Sequence, residues 1–121
     1  MADDFHLTAA SLHLDRADLD SLVEVLAARL QGALPGRCEV KRRRLGKRVE
    51  RVAVELGPRR FVLERRRHEL AATVEWAVHD MRRRREELPL DAWLAALEAE
   101  LRREADSSAA AREALERLLE R

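Results

Sequence analysis

Four basic runs are the residues of this chain best equipped for chemistry: Lys41-Arg42-Arg43-Arg44, Lys47-Arg48, Arg65-Arg66-Arg67 and Arg82-Arg83-Arg84-Arg85. Clustered guanidinium groups bind phosphates bidentately and release condensed counterions, the basis of sequence-independent nucleic-acid binding. Of the 24 Lys and Arg residues all but Lys41 and Lys47 are Arg, whose planar fork fits phosphate and carboxylate alike. The same bias would follow from a GC-rich genome, so arginine content alone says little.

Position says more. Residues 1–36 carry two basic and six acidic side chains, residues 37–85 carry 17 and seven, and residues 86–121 carry five and ten. The formal net charge of +1 therefore hides an acidic–basic–acidic order. Such asymmetry bears on partners and association rather than on fold.

Two readings follow. In the leading one the chain is a non-enzymatic protein-interaction or scaffold domain, homo-oligomeric, with acidic helices answering basic sheet surface. Its partner is then itself or another protein. Trp93, at the first turn of an amphipathic helix, and Leu115, Leu118 and Leu119, on a terminal stripe, are the interface candidates, since Trp is favoured at binding hot spots. Packing inside the domain is the ordinary alternative for all four. In the second reading an Arg-rich sheet edge binds nucleic acid through Lys41, Arg42, Arg43, Arg44, Lys47, Arg48, Arg66, Arg67, Arg82, Arg83, Arg84 and Arg85. The scarcity of aromatics (Phe5, Phe61, Trp76 and Trp93, with no Tyr) argues against a single-strand reader that stacks bases.

Other chemistry is not legible. His6, His13, His68, His79 and Cys38 are scattered without ligand spacing, so no metal centre is expected. The lone cysteine excludes an intramolecular disulfide. Gly32, Gly36, Gly46 and Gly57 read as turn or cap positions rather than a phosphate loop. No Ser–His–Asp set can be assembled from spacing. The expectation is no enzyme, no cofactor and no small-molecule ligand. The absence of a signal-peptide pattern and of an apolar run of roughly 20 residues points to a cytoplasmic protein with no membrane partner.

The elements that must position the basic runs can be read from periodicity. Leu19, Leu22, Val23, Leu26 and Leu30 recur at helical spacing behind an N-cap at Asp15 and a Leu14–Leu19 staple, until Gly32, Pro35 and Gly36. From Arg37 the period becomes two. Val52, Val54 and Leu56 precede Gly57-Pro58, and Phe61 and Leu63 follow it, which predicts a hairpin with a two-residue type II′ turn. That turn sets a register pairing Val54 with Phe61, Val52 with Leu63, Glu55 with Arg60 and Arg51 with Glu64, and extends to Glu50 opposite Arg65.

Residues 39–44 suit a basic edge strand, with Val40 and Leu45 its apolar contributions and Gly46 its break. Residues 69–80 read as a strand or, alternatively, a helix; β-branched and aromatic residues on one parity favour the strand. Residues 81–87 read as a polar connector, and Asp91 as the cap of a helix that buries Trp93, Leu94, Leu97 and Leu101. Asp106-Ser107-Ser108 either caps a further helix or marks a bend. The sum is one α+β domain over residues 1–121, with no strong pattern in 1–13. It is a two-layer fold with a three- to four-stranded antiparallel meander, an N-terminal helix and one or two C-terminal helices.

Overall fold

The computed structural model describes residues 16–67, 69–77, 83–106 and 108–119. An N-terminal helix, α1 (Arg16–Ala33), leads into strands β1 (Cys38–Arg42), β2 (Val49–Leu56), β3 (Arg59–Arg65), β4 (Leu70–Ala77) and β5 (Arg83–Leu88). Helices α2 (Leu90–Ala105) and α3 (Ala109–Leu119) complete the α+β chain. The strands form one antiparallel sheet in the order β1-β2-β3-β4-β5, an uninterrupted meander. Both α1 and α2 cover one face, α1 over β1 and β2 and α2 chiefly over β4, while α3 packs on the two helices. The expected Asp15 cap and Leu14 staple, together with His68, Val78, His79 and Arg82, lie outside the described residues.

The hairpin forms as its turn chemistry requires. Gly57 has φ +59°, the positive value that type II′ needs ahead of Pro58, and Leu56 pairs directly with Arg59. Val54 faces Phe61, Val52 faces Leu63, Glu55 faces Arg60 and Arg51 faces Glu64. The pairing of β2 with β3 ends at Arg51 and Glu64, so the expected Glu50–Arg65 pair is not part of the ladder. On the other side of β2 a bulge lets Lys41 pair with Arg51 and Arg42 with Val49, so Glu50 is skipped. The bulge flips parity and brings Val49, at an odd position, onto the core face with Val52 and Val54; it is fully buried. Glu50 turns to Arg43 at 3.1 Å, and Arg65 donates to the Val49 carbonyl at 3.2 Å.

The sheet has five strands rather than three or four. Residues 70–77 are strand, not helix, and the presumed connector contains β5. Its sequence RRREEL has no apolar alternation because it is an edge strand with every residue through Glu87 exposed, and a strand that buries nothing leaves no hydrophobic signal. Leu45 is 87% exposed in the β1–β2 loop and contributes nothing to the core.

One core lies between the sheet and the helices, built from Val23, Leu26 and Leu30 of α1, the inward residues of β2–β4, and Trp93, Leu94, Leu97 and Leu101 of α2. Trp93 is wholly buried: its indole N–H donates to the Thr73 carbonyl at 3.0 Å, and its ring meets Phe61 edge-on at 6.0 Å. It is therefore a core residue and not an exposed anchor. Asp91 lies inside the first turn of α2, whose N-cap is Pro89. Residues 106–108 separate two helices, and the Ser108 hydroxyl accepts the Ala111 N–H at 3.1 Å as an N-cap. Leu115, Leu118 and Leu119 are half-buried against the core. No helix among the described residues is long and apolar enough to cross a membrane.

Candidate polyanion-binding site

In an up-and-down meander alternate loops share an end of the sheet. The β1–β2 and β3–β4 loops therefore emerge together, and the β2–β3 turn lies at the opposite end, with the end of β4 and the start of β5. This places Arg43, Arg44, Lys47 and Arg48 beside Arg65, Arg66 and Arg67. Arg83, Arg84 and Arg85 pair with Ala77, Trp76 and Glu75 instead, near the Gly57 turn and on the far edge strand. The basic runs thus do not share one surface. The first three converge at one end, and the last stands apart.

At the convergent end lies a cleft of about 400 Å³, lined by Arg43, Arg48, Arg65, Arg66 and Arg67, by Asp20, Glu50 and Glu69, and by Leu19 and Leu70. Five guanidinium groups face three carboxylates. Helix α1 supplies the deepest carboxylate, Asp20, which pairs with Arg65 and stands 3.9 Å from Arg48. Arg65 is the buried member of the set, its side chain only 13% exposed. Arg43 pairs with Glu50, both partly exposed.

Glu24, one turn after Asp20, organises the loop behind the cleft. It accepts the Val49 N–H at 2.9 Å and pairs with Arg42 at 3.2 Å, while Arg42 also donates to the Lys47 carbonyl. The Val49 N–H, reinforced by Arg42 and Arg65, holds the Glu24 carboxyl below its ordinary range against the opposing effect of burial. The loop turns back through Gly46 (φ +82°) and Lys47 (φ +52°). Within it Arg44 and Lys47 are exposed. Lys41 is exposed on the sheet face turned away from the helices, beside Arg51.

Among the described residues Lys41, Arg44, Lys47, Arg66, Arg67, Arg84, Arg85 and Arg112 have no ion-pair partner. Four of these eight, Arg44, Lys47, Arg66 and Arg67, belong to the two convergent loops. Unanswered cations at a concave end are what a phosphate-bearing chain would meet; Arg42, Arg43, Arg48 and Arg65 are already held by the protein's own carboxylates and frame the loops.

The opposite end shows a different balance, which sequence reasoning missed. There Glu100 and Glu104 of α2 reach over the Gly57 turn: a Cβ on Gly57 would stand 3.2 Å from Glu104 and 3.6 Å from Glu100. Glu104 takes Arg37 at 3.0 and 3.3 Å, and Glu100, nearly inaccessible, stands 3.3 Å from Arg103 and 3.8 Å from Arg59. Arg37 also donates to the Glu55 carbonyl at 3.0 Å. The one available signal was the i, i+4 spacing of two glutamates on α2, which puts both on one helix face.

Cys38 is buried on the core side of β1. Burial, with Glu39 beside it, pushes its thiol up to about 11, so it is protonated and a poor nucleophile at neutral pH. Among the described residues no three His, Cys, Asp or Glu side chains are placed to hold a metal ion. No protein-family model matches this chain, nor does any curated protein or solved structure.

Proposed function

We propose that this domain binds the phosphate backbone of nucleic acid, without sequence preference, at the cationic end of its sheet. The observation that carries the reading is that the β1–β2 loop, with Arg44 and Lys47, and the β3–β4 loop, with Arg66 and Arg67, share one end of the sheet. These are four exposed cations without an ion-pair partner among the described residues, of which Arg66 and Arg67 line a cleft together with three further arginines. Arg43, Arg48 and Arg65 act as the frame, pre-positioned by Asp20 and Glu50. Of the three described aromatic residues Phe61 and Trp93 are buried and Trp76 is half-buried at the opposite end of the sheet from the cleft; this favours backbone contact over base stacking.

The test is fluorescence anisotropy of a labelled duplex at about 50 and 200 mM salt. Four phosphate contacts predict a salt slope near −3.6 and a loss of about two orders of magnitude in affinity between these conditions. The R44Q/K47Q/R66Q/R67Q variant should bind far more weakly at low salt, with a slope close to zero and an unchanged melting temperature. R84Q/R85Q, at the other end, should bind as the parent does. Absence of binding at either salt, or equal weakening by both variants, rejects the reading.

A further inference from the structure

We infer that β5 is a self-pairing edge, through which two copies of this chain join their sheets into one antiparallel ten-stranded sheet. Along Arg83–Leu88 every residue but the last is exposed, and among the described residues β4 is its only strand neighbour. Of its five charged side chains Arg83 alone has a partner among the described residues, Glu75 at 3.6 Å. Arg84, Arg85, Glu86 and Glu87 stand with no ion pair among the described residues. Monomeric proteins commonly protect an edge with charged side chains, lysine above all, which repel a second copy of the same edge where like charges meet. Here the strand instead carries three arginines followed by two glutamates, a sequence that complements itself when reversed.

Symmetry restricts how it can do so. A two-fold axis perpendicular to the sheet keeps each residue on its own face, and directly opposed residues of an antiparallel pair share a face. Only registers whose paired residue numbers give an even total are then allowed. The register centred on Arg85 sets Arg84 against Glu86 and Arg83 against Glu87, each pair made twice. The two Arg85 side chains that meet at its centre lie across from Glu75 of their own sheets. Centring on Glu86 leaves one kind of opposite-charge pair instead of two, and centring on Arg84 sets arginine against arginine. The strand thus specifies one register as well as one partner. Arg84 and Glu86 lie on the sheet face that carries the helices, Arg83 and Glu87 on the other, so both faces of the junction would be charge-matched.

The experiment is sedimentation equilibrium of the full chain between about 10 µM and 1 mM, the range in which a small interface associates. It compares the parent, Arg84→Glu, Glu86→Arg and an equimolar mixture of the two variants. Both positions are exposed and neither has an ion-pair partner among the described residues, so both variants should keep the parent's melting temperature. The parent should dimerise. Each variant places like charges opposite one another at two sites and should self-associate at least tenfold more weakly. The mixture re-creates the opposite-charge pairs and should recover dimer. A parent that remains monomeric throughout overturns the inference. So does a dimer indifferent to both substitutions, or a mixture that fails to recover.

Discussion

The two ends of the sheet are built from the same residue type and reach opposite electrostatic outcomes. At the Gly57 end Arg37, Arg59 and Arg103 are met by Glu100 and Glu104, two carboxylates spaced one turn apart on α2. At the cleft end α1 contributes Asp20 and Glu24, which hold Arg65, Arg48 and Arg42, but the loops bring more cations than the helix can answer. Arginine number alone does not set the charge of a surface. What counts is the surplus left after the packed helix has taken its share: among the loops it lies at the cleft end, while Arg84 and Arg85 stay unpaired on the edge strand.

The comparison can be broken most strongly at Asp20. Asp20→Asn removes the carboxylate that faces Arg65, whose side chain is mostly buried, and should lower stability by about 1–3 kcal/mol, since a charge held inside the fold loses its partner. The same change adds one net positive charge to the cleft, so duplex affinity at low salt should rise in the molecules that remain folded. Thermal melts and anisotropy on one preparation would show the two effects moving in opposite directions; a parallel loss of both would mean that Asp20 shapes the site rather than tempers it.

A smaller effect is expected from Glu104→Gln at the other end. Arg37 is more than a third exposed, so its loss of a partner should cost about 1 kcal/mol or less. The freed guanidinium should steepen the salt dependence of duplex binding by no more than about 0.9. If affinity rises as much as for Asp20→Asn, the two ends are not functionally distinct.

The smallest expected effect is a matter of pH. The Glu24 carboxyl has a lower pKa folded than unfolded. Its contribution is therefore present above the unfolded value, near 4.5, and is lost as pH falls through the lower folded value. Melting temperatures followed from neutral pH into that acid window should fall less steeply for Glu24→Gln than for the parent. Identical acid profiles would remove Glu24 from the elements that anchor the β1–β2 loop.

Much of this architecture was readable along the chain, and the limits of that reading are physical. The α1 stripe and the β2–β3 hairpin announce themselves because each buries one face against a core, and burial imposes a period. The Gly57-Pro58 turn dictated four of the five expected cross-strand pairs. The fifth, Glu50 with Arg65, lies past the end of the β2–β3 ladder, where a bulge against β1 skips Glu50 and no hydrophobic position marks it. Strand β5 was missed for the related reason that an edge exposed on both sides carries no apolar alternation. Trp93 is a hot-spot residue by type and a core residue by position, and only its contacts with Thr73 and Phe61 decide between them.

The sequence by itself determined the amphipathic elements, the hairpin register and the segregation of charge, all of which follow from local periodicity, turn stereochemistry and counting. Which cations stand together was decided by topology. A meander returns alternate loops to the same end, so Arg44 and Lys47 meet Arg66 and Arg67 across some twenty residues, while Arg84 and Arg85 are carried away on the edge strand. Which cations remain unanswered was decided by packing, because the core face of a helix fixes where its remaining carboxylates point. Charge along a chain is a local property, and a charged surface is the outcome of folding.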